Sequence, residues 1–330
     1  MDRLGEIALI SDYLAPLATH PASLGLKDDA ALLTGLPESG LVITADALVA
    51  GVHFFEDDDP GDAAYKAVAT NVSDLAAKGA RPIGYTMTLA LPQGPDKAWA
   101  EHFTAGLAKA HTRFDIALLG GDTVTTGGSW WIAITAFGEA PSRGLVPRSG
   151  ARPGHQLYVS GTLGDSALGL RVRLDKEFGA DLPQPQRDFL LSRYLFPEPR
   201  LALRTALTQF ASAAMDISDG LALDLKRLCL ASKASAEVLV TAIPLSDAMR
   251  SVLAENPDAM AVALSGGDDY EILAAIPPES AAAFETASRD GGVRVTRIGT
   301  VTAGLGEPRF LKADGSEFVL TSQGFEHFKT

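Results

Sequence analysis

The segment AAMDISDGLALDL, residues 213–225, joins an apolar run to a polar junction and a second apolar stretch. It begins with an apolar run typical of a buried strand at 213–217 and continues with the apolar spacing of a helix at 219–231. The polar residues at this junction are Asp216, Ser218 and Asp219. Two carboxylates three residues apart therefore stand where a strand meets a helix, and they could cap the helix or bind a cation.

Strands and helices alternate along the rest of the chain. Strands are also predicted at 41–46, 83–91, 115–123, 130–140, 156–160, 236–240, 260–264, 270–276 and 293–299. Further helices are predicted at 62–78, 96–112, 164–177, 200–209, 245–254 and 278–289. This alternation predicts an α/β (α+β) protein of two domains with mixed sheets.

A segment rich in Pro, Gly and Arg, PSRGLVPRSGARPG at 141–154, separates the two halves of this pattern. Residues of this kind are typical of a connecting segment. We therefore expect an N-terminal domain over 1–140 and a C-terminal domain over 155–330. A chain of 330 residues is also longer than one simple core requires.

The composition excludes several classes of protein. A net charge of -13 argues against binding of a nucleic-acid backbone. Cys229 is the only cysteine, which excludes an internal disulfide and a cysteine-based zinc site. The N-terminal stretch carries Asp2 and Glu6 where a signal peptide is basic, and no segment approaches the roughly 18 apolar residues of a membrane span. We expect a cytoplasmic protein with no nucleic-acid or membrane partner.

Aspartates recur where predicted strands or helices meet turns. The positions are Asp28–Asp29, Asp46, Asp74, Asp122, Asp216 with Asp219, and Asp268–Asp269. Short carboxylates suit Mg²⁺, which prefers oxygen ligands in octahedral geometry. Several of them together could form a multi-metal site for a polyphosphate.

Each aspartate also has an ordinary structural interpretation. Ser218 or Asp219 could cap the following helix, and Asp224 is expected to be a first-turn charge that the helix dipole favours. Asp46 and Asp122 could make local turn hydrogen bonds. Asp74 fits such a role less well, because aspartate is a poor residue for a helix interior.

Two glycine pairs follow apolar runs, in GGD at 120–122 and SGGDD at 265–269. Their backbone N–H groups could cradle phosphate, or the glycines could simply form tight turns. The segment SGTLGDSALGL at 160–170 could likewise present a helix N-terminus to an anion. The P-loop, dinucleotide-binding and protein-kinase motifs are absent from the sequence.

Eight segments in a fixed order carry a more specific signal. They are GLKDDAALL, ITADALVAGVHF, DPGDAAYKAVATNVSDLAAKGARP, LLGGDT, RSGARPGHQLYVSGTLGDSALGL, MDISDGLALDL, LSGGDDYEI and GFEHF. They span nearly the whole chain. Together they resemble the thiamine-monophosphate kinase family, within the aminoimidazole-ribonucleotide-synthetase-like superfamily.

The resemblance implies ATP-dependent phosphorylation of thiamine monophosphate to thiamine diphosphate, with several Mg²⁺ ions. It also implies a homodimer whose N-terminal domains pair through their sheets. The implied metal ligands are Asp29, Thr44, Asp46, Asp74, Asp122, Asp216 and Asp219. The implied ATP contacts are Gly121, Asp122, Arg148 and Ser218. The implied contacts to thiamine monophosphate are His53, Asp268 and Phe325.

The sequence departs from the family pattern at four positions. Lys27 replaces a glycine of the first acidic motif, and Ala45 stands where threonine is common. Asp268 replaces a frequent glutamate, which shortens the side chain. Phe325 replaces Trp or Tyr, so that stacking is retained while a hydroxyl contact is lost.

The chemistry of the implied substrate agrees with the residues. The attacking group is a phosphate oxygen, and the second pKa of a phosphate monoester is about 6, so the group is largely dianionic at pH 7. We therefore expect neither a general base nor a covalent nucleophile on the protein. Metal ions and Arg148 would offset the repulsion between the two anions.

Two alternatives remain open. The carboxylate pattern alone also fits an ATP-dependent enzyme like aminoimidazole ribonucleotide synthetase. The same scaffold could serve a non-enzymatic protein that binds nucleotide or metal, because a fold does not determine a function.

Overall fold

The structure is a computed structural model, and it describes residues 3–27, 30–175, 177–178, 180, 182–305, 307–320 and 324. The chain divides into two compact units. Unit 1 comprises Met1–Leu75 and Ala80–Gly144, and unit 2 comprises Ala76–Gly79 and Leu145–Thr330.

Unit 1 is built on a four-stranded mixed sheet. Its strands are β1 (Leu41–Val49), β2 (Arg81–Leu91), β3 (Ala117–Thr125) and β4 (Trp131–Glu139), and its helices are α1 (Glu6–Ala8), α2 (Pro60–Ala77) and α3 (Lys97–Phe114). The strand order is β1-β4-β2-β3. Strand β4 runs antiparallel to β1 and β2, whereas β2 and β3 are parallel. Strands β1 and β3 are therefore the two edges of this sheet.

One face of this sheet is buried and the other is largely open. Alternate residues of β4, among them Ile132 and Ile134, are buried, while the residues between them are half-buried. Ile43 of β1 is 60% exposed. Helices α2 and α3 cross closely, because a Cβ at Gly106 would overlap the backbone of Gly61. Glycine is required there for the close approach of two backbones.

Unit 2 contains a six-stranded mixed sheet with helices. Its strands are β5 (Gln156–Ser160), β6 (Ala213–Ile217), β7 (Ser235–Leu239), β8 (Glu271–Ile276), β9 (Val295–Thr302) and β10 (Arg309–Leu311). Its helices are α4 (Asp165–Leu174), α5 (Gln184–Leu195), α6 (Arg204–Phe210), α7 (Leu221–Ser232), α8 (Asp247–Glu255), α9 (Ala259–Ser265) and α10 (Ala281–Asp290). The strand order is β10-β7-β9-β5-β8-β6, in which only the β10–β7 pair is parallel.

The sheet of unit 2 is buried on both faces. Leu157 and Val159 of β5 belong to one apolar cluster, and Tyr158 between them belongs to a second. Successive residues of a strand point to opposite faces, so the two clusters lie on the two sides of the sheet. Every residue of β6 and β8 is buried, and these strands consequently read as continuous apolar runs.

The predicted fold class is confirmed, and one predicted element is wrong. The strand expected at 260–264 belongs to helix α9, which packs against α4, α7 and α8. A short apolar run has no periodicity that separates strand from helix, and its alanines favour the helix. Helix α5 and strand β10 lie where the sequence predicted no element. In the described part of the chain, no helix is both long and apolar enough to span a membrane.

Candidate functional site

In unit 1, a threonine of β1 and an aspartate of α2 are joined by their side chains. The Thr44 hydroxyl donates to Oδ2 of Asp74 at 2.5 Å, and both residues are half-buried. The two side chains place oxygen atoms that could bind a cation on the helix-covered face of the sheet. Asp74, an aspartate in the interior of a helix, thus has a specific partner in Thr44.

Two further predicted ligands of unit 1 lie on opposite edges of its sheet. Asp46 is on β1, two residues after Thr44 and therefore on the same face. Asp122 is on β3, and strands β4 and β2 lie between these edges. Three strand spacings amount to about 14 Å. The structure thus brings Thr44, Asp46 and Asp74 to one region of unit 1, but places Asp122 at a distance from them.

The GGD segment forms the middle of β3. Gly121 pairs with Met87 of β2 in register, and a Cβ at Gly121 would overlap the Met87 carbonyl oxygen. Close approach of the strands therefore explains this glycine. The Asp122 carboxylate accepts the backbone N–H of Thr123 at 2.9 Å, which is the local kind of hydrogen bond that the sequence left open. Gly121 and Asp122 are both exposed.

Asn71 lies one helical turn before Asp74 on α2. Its side-chain N–H donates to the Ala67 carbonyl at 3.0 Å, and the residue is only 1% exposed. Within the described residues, its Oδ1 atom has no hydrogen-bond partner. A buried carbonyl oxygen without a donor is costly unless a ligand or water serves it, so Asn71 joins the candidate site on its own evidence.

The turn after β1 holds His53 in a defined tautomer. Nδ1 of His53 accepts the Val49 N–H at 3.0 Å, so the proton of the neutral ring resides on Nε2. Lys66 of α2, which is 2% exposed, donates to the His53 carbonyl at 3.1 Å. The imidazole is thereby fixed with Nε2–H as a donor.

In unit 2, the strand–turn–helix predicted at 213–225 is formed by β6, a turn and α7. Asp216 is the last residue but one of the buried strand β6 and is 8% exposed. The N-cap residue of α7 is Gly220, with no side-chain cap, so neither Ser218 nor Asp219 caps this helix. Both lie half-buried in the turn.

Asp224 has a role that the sequence did not predict. It is fully buried, and its Oδ2 accepts the backbone N–H groups of Ser218 at 3.1 Å and Asp219 at 2.9 Å. Arg227 pairs with the carboxylates of both Asp219 and Asp224. Burial is the main reason that the pKa of Asp224 is raised to about 6. The carboxylate thus holds the turn and is more than a charge favoured by the helix dipole.

The SGGDD segment forms a second turn that is bonded to the first. Asp268 and Tyr270 both have left-handed backbones, with φ of 68° and 51°. The Asp268 N–H donates to the Ser218 carbonyl at 2.7 Å, and the Tyr270 N–H donates to the Ile217 carbonyl at 2.8 Å. The structure therefore brings together Ser218, Asp219 and Asp268.

The N-terminus of α4 is already occupied by a side chain of the protein itself. The Gly164 N–H donates to Oδ2 of Asp269 at 2.7 Å, and Asp269 is 1% exposed. Burial raises the pKa of Asp269 well above its ordinary range. The backbone N–H of Gly164 is consequently bonded to a side chain of the protein. This contact explains the segment at 160–170 without the anion-binding site that its sequence allowed.

Three predicted site residues have no described partner or lie outside the described residues. Arg148 is exposed in the irregular segment before β5. Asp29 and Phe325 lie outside the described residues. Within the portion of the chain that is described, no three His, Cys, Asp or Glu side chains come together in a group that could hold a metal ion. The metal cluster stays a prediction.

Two family models match the chain in succession. The N-terminal domain of AIR synthase related protein matches residues 27–140, and its C-terminal domain matches residues 152–310. The thiamine-monophosphate kinase of Caulobacter vibrioides is 43% identical over 311 residues, which cover 93% of this chain and 87% of that protein.

Solved structures agree with the sequence relatives. The crystal structure of thiamine-monophosphate kinase from Stenotrophomonas maltophilia matches with a TM-score of 0.82 at 36% identity, over 95% of this chain and 98% of that chain. AaThiL complexed with AMPPCP and TMP matches with a TM-score of 0.77 at 30% identity, over 99% of both chains. From the two family models and these relatives, the chain belongs to the thiamine-monophosphate kinase family, among the AIR synthase related proteins.

Proposed function

We propose that this protein transfers the γ-phosphoryl group of ATP to thiamine monophosphate and forms thiamine diphosphate. The observation that carries the proposal is full-length similarity to an AaThiL complex with AMPPCP and TMP. The relatives named thiamine-monophosphate kinase support the same activity. The described residues add hydroxyl, carboxylate and imidazole groups of the kinds that this chemistry needs.

The metal part of the proposal rests on the donor atoms. The residues that would hold Mg²⁺ are Asp29, Thr44, Asp46, Asp74, Asp122, Asp216 and Asp219. All offer oxygen, and the unpartnered side-chain oxygen of Asn71 beside Asp74 fits the same preference. Bound Mg²⁺ ions would neutralise the charge of the phosphates during transfer.

The nucleotide part involves Gly121, Asp122, Arg148 and Ser218. Arg148 is exposed and always charged, so it can pair with a phosphate through its planar fork. Ser218 is held in place by Asp224 and by the Asp268 N–H. A half-buried hydroxyl in a fixed turn is suited to donate to a phosphate oxygen.

The acceptor part involves His53, Asp268 and Phe325. Nε2–H of His53 is oriented by the bond from the Val49 N–H, so the ring can donate to an anionic group without gaining a proton. Asp268 offers a carboxylate for the cationic or amino groups of thiamine. Phe325 would supply an aromatic face for the thiazolium or pyrimidine ring.

The transfer itself needs no protein nucleophile. Thiamine monophosphate already carries a largely ionised phosphate at neutral pH, because its second pKa is about 6. The residues therefore have to align two anions and screen their repulsion. We propose a direct, in-line displacement at the γ-phosphorus.

The same resemblance supports a homodimer and a cytoplasmic location. We propose that unit 1 pairs with a second copy through its sheet and supplies metal and ATP ligands, and that the C-terminal domain completes the cleft. The exposed Ile43 supports this, as does the position of β1 and β3 at the edges of the sheet among the described residues, because open sheet edges need to be covered.

The test is the dependence of ADP formation on the acceptor. Purified protein with ATP and Mg²⁺ should form ADP when thiamine monophosphate is added, and only at background rate with thiamine or with thiamine diphosphate. ADP formation that is independent of all three would favour a different ATP-dependent enzyme. Nucleotide binding without ADP formation would favour the non-enzymatic alternative.

A further inference from the structure

A buried ion-pair network lies directly behind the SGGDD turn. Glu271, the first residue of β8, is completely buried. It accepts hydrogen bonds from Arg193 of α5 at 3.0 Å, from Nε of Arg200 at 2.6 Å and from the Ser160 hydroxyl at 2.5 Å. A buried carboxylate requires such partners, because loss of all of them would leave an uncompensated charge.

Arg193 makes a contact with the turn that Arg200 lacks. The same nitrogen of Arg193 that pairs with Glu271 also donates to the backbone carbonyl of Asp269 at 3.0 Å. Arg200 makes its described bonds to Glu271 and an ion pair with Glu198. Arg193 therefore reaches the turn itself, whereas Arg200 reaches only the residue after the turn.

The contact from Arg193 falls at the centre of a strained backbone. Asp268 and Tyr270 flank Asp269, and both have positive φ without being glycine. Such conformations are energetically costly for residues other than glycine, and they persist only where the surroundings impose them. The Asp269 carbonyl lies between the two strained residues, so a donor fixed on it restrains both.

We propose that Arg193 is a positioning residue, which holds the 265–270 turn so that the Asp268 carboxylate keeps the direction needed to bind the acceptor substrate. The proposal rests on the proposed function, in which Asp268 contacts thiamine monophosphate. Arg193 itself is 7% exposed and acts through the backbone. Its effect should therefore be larger on the affinity for the acceptor than on the affinity for ATP, because the ATP contact Ser218, which the Asp268 N–H also holds, keeps its bond to Asp224.

The two arginines provide a matched pair of variants. Arg193→Met leaves Glu271 paired with Arg200 and Ser160, and Arg200→Met leaves it paired with Arg193 and Ser160. Both should lower the melting temperature. Only Arg193→Met should raise KM for thiamine monophosphate, by about tenfold, the effect of one lost hydrogen bond that involves a charged group. KM for ATP should stay within about twofold in both variants.

Two further variants test whether Arg193 acts through Asp268. Arg193→Lys restores a cationic donor near the carbonyl and should recover part of the lost affinity. In an Asp268→Ala background, Arg193→Met should raise KM for thiamine monophosphate no further, because the side chain that it orients is gone.

The outcomes distinguish a wrong assignment of Asp268 from a wrong role for Arg193. If Asp268→Ala leaves KM for thiamine monophosphate unchanged, the assignment of Asp268 is wrong and the proposal about Arg193 falls with it. If Asp268→Ala raises KM but Arg193→Met and Arg200→Met behave alike, Arg193 only stabilises the fold. Additive effects of Asp268→Ala and Arg193→Met would also overturn the positioning role.

Discussion

The buried carboxylate of Asp224 accepts the backbone N–H of Asp219 at 2.9 Å, and thereby ties the start of α7 to the turn that precedes it. The same oxygen accepts the N–H of Ser218 at 3.1 Å. Arg227 completes the arrangement by pairing with both aspartates. Ser218 and Asp219, which are predicted to bind ATP and metal, thus lie in a turn that Asp224 of the first turn of α7 holds in place.

Replacing Asp224 by alanine should misplace this turn. Two backbone N–H groups would lose their acceptor and Arg227 would lose one of its two carboxylate partners, so we expect a lower melting temperature and an increase of about tenfold in KM for ATP. Asp224→Asn keeps one oxygen acceptor and should have a smaller effect. Steady-state kinetics and thermal melting measure both quantities.

The control for this change is Asp247→Ala. Asp247 pairs with Arg250 at the same i, i+3 spacing, but its side chain is 89% exposed. An exposed pair contributes little, so melting and KM should stay close to wild type. An Asp224→Ala protein with wild-type KM for ATP would show that the turn does not depend on Asp224.

The sequence predicted the elements around this turn but not the role of Asp224. The sequence at 213–225 was sufficient to predict β6 and α7. A strand buried on both faces is a continuous apolar run, whereas a helix buried on one face has apolar residues three or four positions apart. The helical spacing did indicate that Asp224 is buried, since it lies on the same helix face as Leu221 and Leu228, which are buried. The bonds themselves depend on how the turn folds back, which spacing does not reveal.

The sequence was less informative where tertiary packing decides the outcome. The run at 260–264 became α9 because its small residues fit against α4, where the backbone of Ala263 lies close to Gly164. For the site, residue types suggested oxygen ligands, which stay a prediction, and they gave no sign of the hydrogen bond between Thr44 and Asp74. The strand order that separates Asp46 from Asp122 depends on long-range pairing, which no local pattern encodes.

Asp74→Asn should reduce activity far more than stability. The substitution keeps the size of the side chain but removes a charged oxygen that Thr44 contacts. We expect kcat to fall by about 100-fold and the Mg²⁺ concentration for half-maximal activity to rise, because neutral amides are weaker ligands of hard cations. Activity titrations with Mg²⁺ and thermal melting provide the measurement.

Asp62→Asn, the same change in the first turn of the same helix, is the matched control and should retain the wild-type Mg²⁺ dependence. Addition of a chelator in excess over the metal should abolish turnover by the wild-type protein. Wild-type kcat in Asp74→Asn would make this carboxylate structural only.

Acid should destabilise unit 1 through His111. Its Nε2 lies 2.8 Å from the hydroxyl of the buried Tyr85, and burial lowers the pKa of His111 to about 4. The unfolded chain binds this proton below about pH 6.5, and the folded protein only below about pH 4. Stability is therefore complete above pH 6.5 and is lost as the pH falls toward 4, by at most about 3 kcal/mol.

Urea unfolding at pH 7 and pH 4.5 tests this expectation. His111→Gln can still bond to Tyr85 but does not titrate, so its stability should fall less between the two pH values. His102→Gln is the control, because His102 is exposed and its bond to Asp59 raises its pKa. A His111→Gln protein with the wild-type loss of stability would assign the acid sensitivity to other groups.

Direct transfer predicts the stereochemistry of the reaction. Without a covalent phosphoenzyme, a single in-line displacement at the γ-phosphorus should invert its configuration. The measurement uses ATP with a chiral, isotopically labelled γ-thiophosphoryl group and thiamine monophosphate as acceptor. Retention would require two displacements and hence a nucleophile on the protein.

Thiamine monophosphate is the proposed phosphoryl acceptor. The most direct measurement is ³¹P NMR of a reaction that contains the protein, Mg²⁺, ATP and thiamine monophosphate. We expect the monophosphate signal to be replaced by the two coupled signals of thiamine diphosphate, in equal amount to the ADP formed. Release of inorganic phosphate as ATP is consumed, with the thiamine monophosphate signal unchanged, would contradict it.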